Sequence, residues 1–173
     1  MLKTYYIKRT TKKTIRTILV LGVLLQGIFG SCLSVKATEI SLEQNVIVDG
    51  SILTDDSISE KVLYNRTRGN ILNRGVARIT NNGNGSVNVY GAVLPAVKCD
   101  TLRLEMTLQR YEGGGWENIK SYSNISSNAS LLSKSYNYSV KRGYYYRVKA
   151  ACIATKNGTS ESQMPITNGI WID

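Results

Sequence analysis

A run of three tyrosines followed by alternating cations lies within residues 141–154, and aromatic rings beside cations suit the binding of anionic polymers or carbohydrate. A β-strand sends alternate side chains to opposite faces. One face is expected to enter the core, and it carries Tyr144, Tyr146, Val148, Ala150 and Cys152. The other face is expected to point to solvent, and it carries Tyr145, Arg147, Lys149, Ala151 and Ile153.

The solvent face of this strand is the candidate binding surface, with Tyr145, Arg147 and Lys149. Arg103 joins it if the strand around residues 102–108 is its neighbour. A purely structural interpretation stays open beside this hypothesis. In that case cross-strand pairs such as Glu105 with Arg147 stabilise a solvated sheet and bind nothing.

Catalytic equipment is scarce in this sequence. The chain contains no histidine, so a Ser-His-Asp or Cys-His arrangement and a His-based metal site are excluded. Paired carboxylates are the remaining acid-base groups, at Asp55-Asp56 and at Glu112 and Glu117 around a glycine turn. Carboxylates in such places are usually solvated. We therefore expect no enzyme activity, no catalytic residues, no metal and no cofactor.

The N-terminus has the pattern of a secretory signal. Several Lys and Arg precede an uncharged apolar run, and small or branched residues follow it up to Ala37. Residues 1–37 are therefore predicted to be a signal peptide with a helical middle, and the protein is predicted to be secreted and extracellular. The alternative is a lipid anchor at Cys32, because residues 29–32 resemble a bacterial lipobox.

Charge divides the rest of the chain into two parts. Residues 38–69 begin with a strongly acidic stretch and are predicted to form an extended lead segment, with one short strand near Val46 to Val48. Residues 70–173 are basic and are predicted to form the domain. This asymmetry favours either anionic partners for the domain or a contact between the two parts. Nucleic acid is not an expected partner of an exported chain, and membrane contact is expected only through the signal or the lipid anchor.

Cys99 and Cys152 remain after signal removal, and an oxidising exterior allows them to pair. We expect a disulfide between them. The alternative is two buried thiols.

Strand signals follow one another along residues 70–173. Alternation is clearest at Leu102, Leu104, Met106 and Leu108, and hairpin signals occur in residues 81–85, 112–115 and 157–158. Residues 123–130 are predicted to be a polar connection, and residues 166–172 the closing strand. About seven strands separated by turns predict an all-β antiparallel sandwich, with a small β-barrel as the alternative.

The strand that follows Gly143 resembles the sixth strand of fibronectin type III domains, which belong to the immunoglobulin-like sandwiches. Tyr144, Tyr146, Val148 and Ala150 match its rhythm. The resemblance implies that Tyr144 makes a tyrosine corner, in which the hydroxyl group binds nearby backbone. The tryptophan that the family has in its second strand is missing from residues 86–92.

A broader resemblance covers nearly the whole domain. Residues 68–77, 107–111, 134–149, 156–158 and 167–170, with Cys99-Asp100 and Trp116, are similar to a group of small secreted proteins of Gram-positive bacteria known only as a domain of unknown function. The resemblance implies export and a compact β-fold. It implies no catalytic residues.

Three classes of function are compatible with these features. The first is a secreted or surface-associated module without enzyme activity that binds envelope polymer, glycan or protein. The second is a secreted antagonistic, bacteriocin-like protein, although no amphipathic helix is visible after the signal. The third is a hydrolase that uses paired carboxylates.

Overall fold

The structure, a computed structural model, describes residues 47–65 and 71–173. The predicted signal peptide, its cleavage site and Cys32 lie outside these residues. The described residues form strands and turns, and no helix among them is long and apolar enough to cross a membrane.

Eleven strands follow one another in the described part of the chain: β1 (Ile47–Val48), β2 (Ser51–Thr54), β3 (Ile58–Tyr64), β4 (Leu72–Gly83), β5 (Ser86–Pro95), β6 (Cys99–Glu112), β7 (Gly115–Ala129), β8 (Leu132–Ser139), β9 (Tyr144–Lys156), β10 (Thr159–Gln163) and β11 (Gly169–Ile172).

Two open sheets result from the pairing of these strands. The seven-stranded sheet has the order β1-β2-β11-β9-β6-β7, with β10 also pairing with β9, and the four-stranded sheet has the order β3-β4-β5-β8. The inward residues of both sheets form one hydrophobic core, which includes Ile79, Val89, Leu104 and Val148. The prediction of an all-β sandwich is confirmed. The alternative, a small β-barrel, is wrong, because both sheets are open.

The number of strands differs from the predicted seven, mainly at the two ends of the domain. Residues 47–64, predicted to be an extended lead with one short strand, form β1, β2 and β3. β2 pairs with β11 in one sheet and β3 pairs with β4 in the other, so this segment supplies strands to both sheets. Its scattered Val, Ile and Leu residues show no period, because β1 and β2 are only two and four residues long and the one buried residue of β3 is the polar Ser59.

Residues 123–130 also differ from the prediction, since β7 continues to Ala129 instead of ending in a polar connection. β7 is the last strand of its sheet in the strand order, and its Ser123 and Ser127 are exposed. A strand in that position needs apolar residues only on its inner face. Serine-rich sequence is therefore compatible with a strand here.

Close approach of the two sheets depends on glycine at one point of the core. A Cβ atom on Gly91 of β5 would lie 2.7 Å from Met106 Sδ and 3.0 Å from Leu104 Cδ1 of β6. These two side chains therefore pack directly on the β5 backbone, which fixes the spacing between the sheets.

Candidate functional site

The predicted inner face of β9 is confirmed. Tyr146, Val148, Ala150 and Cys152 are at most 1% exposed and belong to the hydrophobic core. Tyr144, which was expected to be buried with them, is only half-buried at the end of the strand. The guanidinium group of Arg110 lies 4.8 Å from its ring centroid.

The tyrosine corner is present at Tyr146 and not at Tyr144. The Tyr146 hydroxyl donates a hydrogen bond of 2.8 Å to the backbone oxygen of Lys141. Burial raises the pKa of this hydroxyl, so it stays protonated and able to donate. The assignment taken from the fibronectin rhythm is therefore two residues too early.

Arg147 was predicted to be exposed, and this prediction is wrong: the residue is 1% exposed. Its Nε donates to Gln109 Oε1 at 2.8 Å, and its Nη1 donates to Ser51 Oγ at 2.8 Å and to the Asp49 backbone oxygen at 3.1 Å. Its Nη2 donates to the Asp49 carboxylate at 2.8 Å. Four of its five N–H donors are thus used inside the protein, and at 1% exposure the guanidinium group is not accessible to a ligand.

Two elements bury Arg147 on a face that alternation predicts to be open. One is the turn between β1 and β2, where Asp49 and Gly50 both have positive φ, as a tight hairpin requires. The other is Trp116, whose ring centroid lies 4.2 Å from the guanidinium carbon. Trp116 Nε1 also donates to the Val48 backbone oxygen at 3.2 Å, so this ring and Arg147 both hold the β1–β2 hairpin on the sheet.

The ion pair between Arg147 and Asp49 perturbs the carboxylate. The hydrogen bond from Arg147 and its positive charge hold the pKa of Asp49 below its usual range. Asp49 therefore remains ionised and bound to Arg147 at neutral pH, which keeps the hairpin in place.

Lys149 and Arg103 lie on the outer face as predicted, but they are not close to each other. Lys149 is opposite Thr107, whereas Arg103 is opposite Ile153, four residues further along β9, or roughly 13 Å away. Arg103 is instead 3.5 Å from Glu105 in an exposed ion pair. Glu105 is opposite Ala151, so the suggested pairing of Glu105 with Arg147 is wrong.

An aromatic row occupies one end of this outer face, and we use that name for Trp116, Tyr111, Tyr145 and Trp171. Tyr111 is paired with Trp116 between β6 and β7, and Tyr145 is paired with Trp171 between β9 and β11. Arg110 of β6 is opposite Tyr146 of β9 on the inner face. Their neighbours Tyr111 and Tyr145 therefore both lie on the outer face. The four residues therefore point to the same side of four neighbouring strands.

Ring geometry within the aromatic row is that of favourable aromatic contacts. Tyr111 and Trp116 have centroids 5.4 Å apart, and Tyr145 and Trp171 have centroids 5.0 Å apart at an interplanar angle of 62°. Trp171 is 37% exposed, and the other three rings are partly buried. Sequence reasoning found only Tyr145. Tyr111 and Trp116 flank a glycine hairpin and could have been paired from it, whereas nothing local places Trp171 beside Tyr145.

The carboxylates considered for catalysis are either next to an arginine or exposed to solvent. Glu112 and Glu117 both contact Arg110 Nη2, the latter at 3.4 Å, and Asp55 and Asp56 are exposed in the connection between β2 and β3. Among the described residues no group of three or more Cys, Asp or Glu could hold a metal ion.

A separate cleft of about 310 Å³ lies between β3 and the segment before β11. Lys61 and Leu63 line one side, and Met164, Ile166 and Asn168 line the other. None of the predicted site residues contributes to it.

A comparison with known protein families found a match for this chain. A family model described as DUF6147, a family of unknown function, matches residues 43–170. The chain belongs to DUF6147. No curated protein and no solved structure matched the sequence.

The DUF6147 match includes most of both sheets, from before β1 into β11. It therefore covers the hairpin that Arg147 holds and three residues of the aromatic row, and it ends one residue before Trp171. The predicted membership of a family of unknown function is confirmed, and the family itself assigns no activity to these residues.

The expected disulfide is not present in this DUF6147 chain, where both cysteines are buried and free. β6 and β9 are antiparallel neighbours as predicted, but Cys152 is opposite Leu104, five residues along β6 from Cys99. That offset is roughly 17 Å, whereas a disulfide needs Cα atoms within about 7 Å. Each sulfur instead contacts a backbone oxygen, that of Val97 for Cys99 and that of Ala92 for Cys152.

Proposed function

We propose that this protein is an exported, non-enzymatic module that binds a glycan on the aromatic row. The observation that carries the proposal is the common face of Trp116, Tyr111, Tyr145 and Trp171 across four strands. Aromatic rings offer contact area to the apolar faces of sugar rings at little cost in side-chain entropy.

Export is part of this proposal because of the sequence of residues 1–37, with its basic start and uncharged apolar run. An exported protein meets envelope and extracellular glycans. The partner class is therefore an envelope or extracellular polysaccharide, and the expected mode is stacking against the rings with polar groups at the margin.

Polar groups suited to sugar hydroxyls accompany the aromatic row. Lys149 and Asp173 share the outward parity of Tyr145 and Trp171, and Asp173 is exposed. Asn118 lies two residues from Trp116 and accepts a hydrogen bond of 2.9 Å from Gln109 Nε2. Arg147 supports this surface from beneath Trp116 and does not contact the ligand.

A glycan array with the purified protein tests the proposal, followed by affinity measurement for the strongest ligand. We expect Trp171→Ala and Tyr145→Ala each to weaken binding by about tenfold or more, which is about 1.4 kcal/mol. Tyr64→Ala is the matched control, because Tyr64 is 59% exposed on the other sheet. The control should bind as the unaltered protein does.

Binding that survives both aromatic substitutions would contradict the assignment of this surface. Release of dye from lipid vesicles without any glycan binding would favour the antagonistic, membrane-active function instead. Thermal unfolding of each variant must show that the sandwich is intact.

A further inference from the structure

Two arginines share the outer face of the four-stranded sheet, on the opposite side of the sandwich from the aromatic row. Arg74 and Arg78 are four residues apart on β4, so they point to the same side. The intervening Gly75 and Ala77 are buried and face the core. The Cα atoms of the two arginines are thus roughly 13 Å apart along a nearly straight strand.

Neither arginine has a complete set of partners within the described residues. The Nε atoms of Arg74 and Arg78 are both buried and make no hydrogen bond. Arg74 forms no ion pair with a described carboxylate, and Arg78 lies 3.6 Å from Glu60, which is beyond hydrogen-bond distance. The ion pair with Glu60 is weak because it is exposed and lies beyond hydrogen-bond distance, so the described residues leave both guanidinium groups short of acceptors.

The surface between the arginines is closed and apolar. Val76 and Ala92 are paired between β4 and β5 on this outer face, and they are 8% and 1% exposed. The Arg78 guanidinium is stacked on Tyr90 at 4.4 Å from the ring centroid, which restricts its orientation. The outer face of β4 therefore presents two guanidinium groups, and the position of the Arg78 group is restricted by Tyr90.

We propose that Arg74 and Arg78 bind two phosphate groups of a linear, phosphate-bearing polymer. A guanidinium group offers a fork of N–H donors that matches phosphate oxygens, and its charge complements the polyanion. A linear polymer lying along β4 reaches both arginines at once. Single phosphate ions reach only one arginine at a time and bind more weakly.

Phosphate is favoured over carboxylate by the state of Arg78. The Glu60 carboxylate is already next to Arg78, with both side chains about two-fifths exposed, and it makes no hydrogen bond there. A phosphate group has more acceptor oxygens than a carboxylate and accepts from both Nη atoms of one guanidinium group. It therefore displaces Glu60.

Titration of the purified full-length protein with long-chain polyphosphate tests the proposal, with polyglutamate as the carboxylate probe and inorganic phosphate as the single-site probe. We expect polyphosphate to bind about tenfold more tightly than either of the other two. The double variant Arg74→Gln, Arg78→Gln should lose about tenfold or more of that affinity. Glu60→Gln should strengthen binding, because it removes the competing carboxylate.

Arg103→Gln is the matched control, since Arg103 is exposed, lies on the other sheet and is ion-paired with Glu105. It should leave polyphosphate affinity unchanged. An equal loss in this control would show that only the overall charge matters and would overturn the site. Equal binding of polyglutamate would also overturn the proposal, because it would show that phosphate is not preferred over carboxylate. Full retention of binding by the double variant Arg74→Lys, Arg78→Lys would overturn it as well, because it would show that the guanidinium groups are not needed.

Discussion

Arg147 shows how a single residue can depart from the pattern of its strand. Its outward position predicts exposure, but the residue is buried with four hydrogen bonds from its three guanidinium nitrogens. Burying a charge is costly unless it is paired and hydrogen-bonded. The Asp49 carboxylate supplies the opposite charge, and three neutral oxygens supply the other acceptors. Arg147 therefore holds the β1–β2 hairpin on the sheet.

Tyr146 is the tyrosine whose removal should destabilise the protein most. We expect Tyr146→Ala to cost about 3 to 5 kcal/mol, because it empties a core position. Tyr146→Phe should cost about 1 kcal/mol, because it removes only the hydroxyl bond to Lys141. Tyr145→Ala, on the partly exposed outer face, should cost less than about 1 kcal/mol.

Urea unfolding measures these three variants under the same conditions. Equal costs for Tyr145→Ala and Tyr146→Ala would show that the two faces of β9 are assigned incorrectly. A cost-free Tyr146→Phe would show that the corner hydrogen bond contributes nothing to stability.

Alternation along β9 was sufficient to predict that Tyr146, Val148, Ala150 and Cys152 are buried. It could not predict the cover over Arg147, because that cover comes from residues 49 and 116, which are distant in the sequence. The tyrosine corner was misplaced for a related reason. Its hydroxyl must reach the Lys141 oxygen, and that depends on the bend at Gly143, which has a φ of 79°.

At the scale of secondary-structure elements, the packing of β5 on β6 is expected to contribute to stability. We expect Gly91→Ala to destabilise the protein by about 1 to 3 kcal/mol, because its Cβ would overlap Met106 and Leu104. Gly115→Ala is the matched control, since a Cβ there meets nothing within 4 Å and its φ is not positive. The control should change stability by less than about 0.5 kcal/mol.

Chemical denaturation and a structure of the Gly91 variant measure this effect. Unchanged stability would mean that β5 and β6 can separate freely, which would contradict a core packed around this glycine. Loss of stability in Gly115→Ala alone would place the sensitive contact at the β6–β7 hairpin instead.

Strand prediction succeeded where buried apolar residues alternate with exposed ones, and it failed where no such alternation is present. The alternation of β6 identified Leu102 through Leu108, and the Asn-Gly signals identified the turns after β4 and β9. The short strand predicted near Val46 to Val48 corresponds to β1, whereas β2 and β3 were missed: β2 has only four residues, and the one buried residue of β3 is the polar Ser59. β7 was cut short because its serines and asparagines resemble a loop, although their pairing with β6 is regular from Thr101 to Leu108.

Charge organises the whole molecule through contacts between its acidic start and its basic remainder. Asp49 binds Arg147 in the seven-stranded sheet, and Glu60 lies beside Arg78 in the four-stranded sheet. Of the two explanations offered for the charge asymmetry, internal contact is therefore observed. The second pair is exposed and weak, which leaves Arg78 open to an external anion.

Cys99 and Cys152 should report the unfolding of the whole molecule, because both are at most 1% exposed and lie in the shared core. Burial raises the pKa of the Cys152 thiol to about 11 and also raises that of Cys99. At pH 8 the thiolate that reacts is therefore scarce as well as inaccessible.

Thiol labelling at pH 8, mapped by peptide mass spectrometry so that Cys32 is scored separately, should leave both residues unmodified in the native protein. Both should react only across the urea transition, at the same midpoint as tyrosine fluorescence, because the two thiols lie in one core that opens cooperatively. A reductant should leave that midpoint unchanged, since there is no bridge to reduce. A peptide linking Cys99 to Cys152 would restore the disulfide and would require a shift of about five residues between β6 and β9. Labelling of one cysteine well before the other would instead divide the core into parts that open separately.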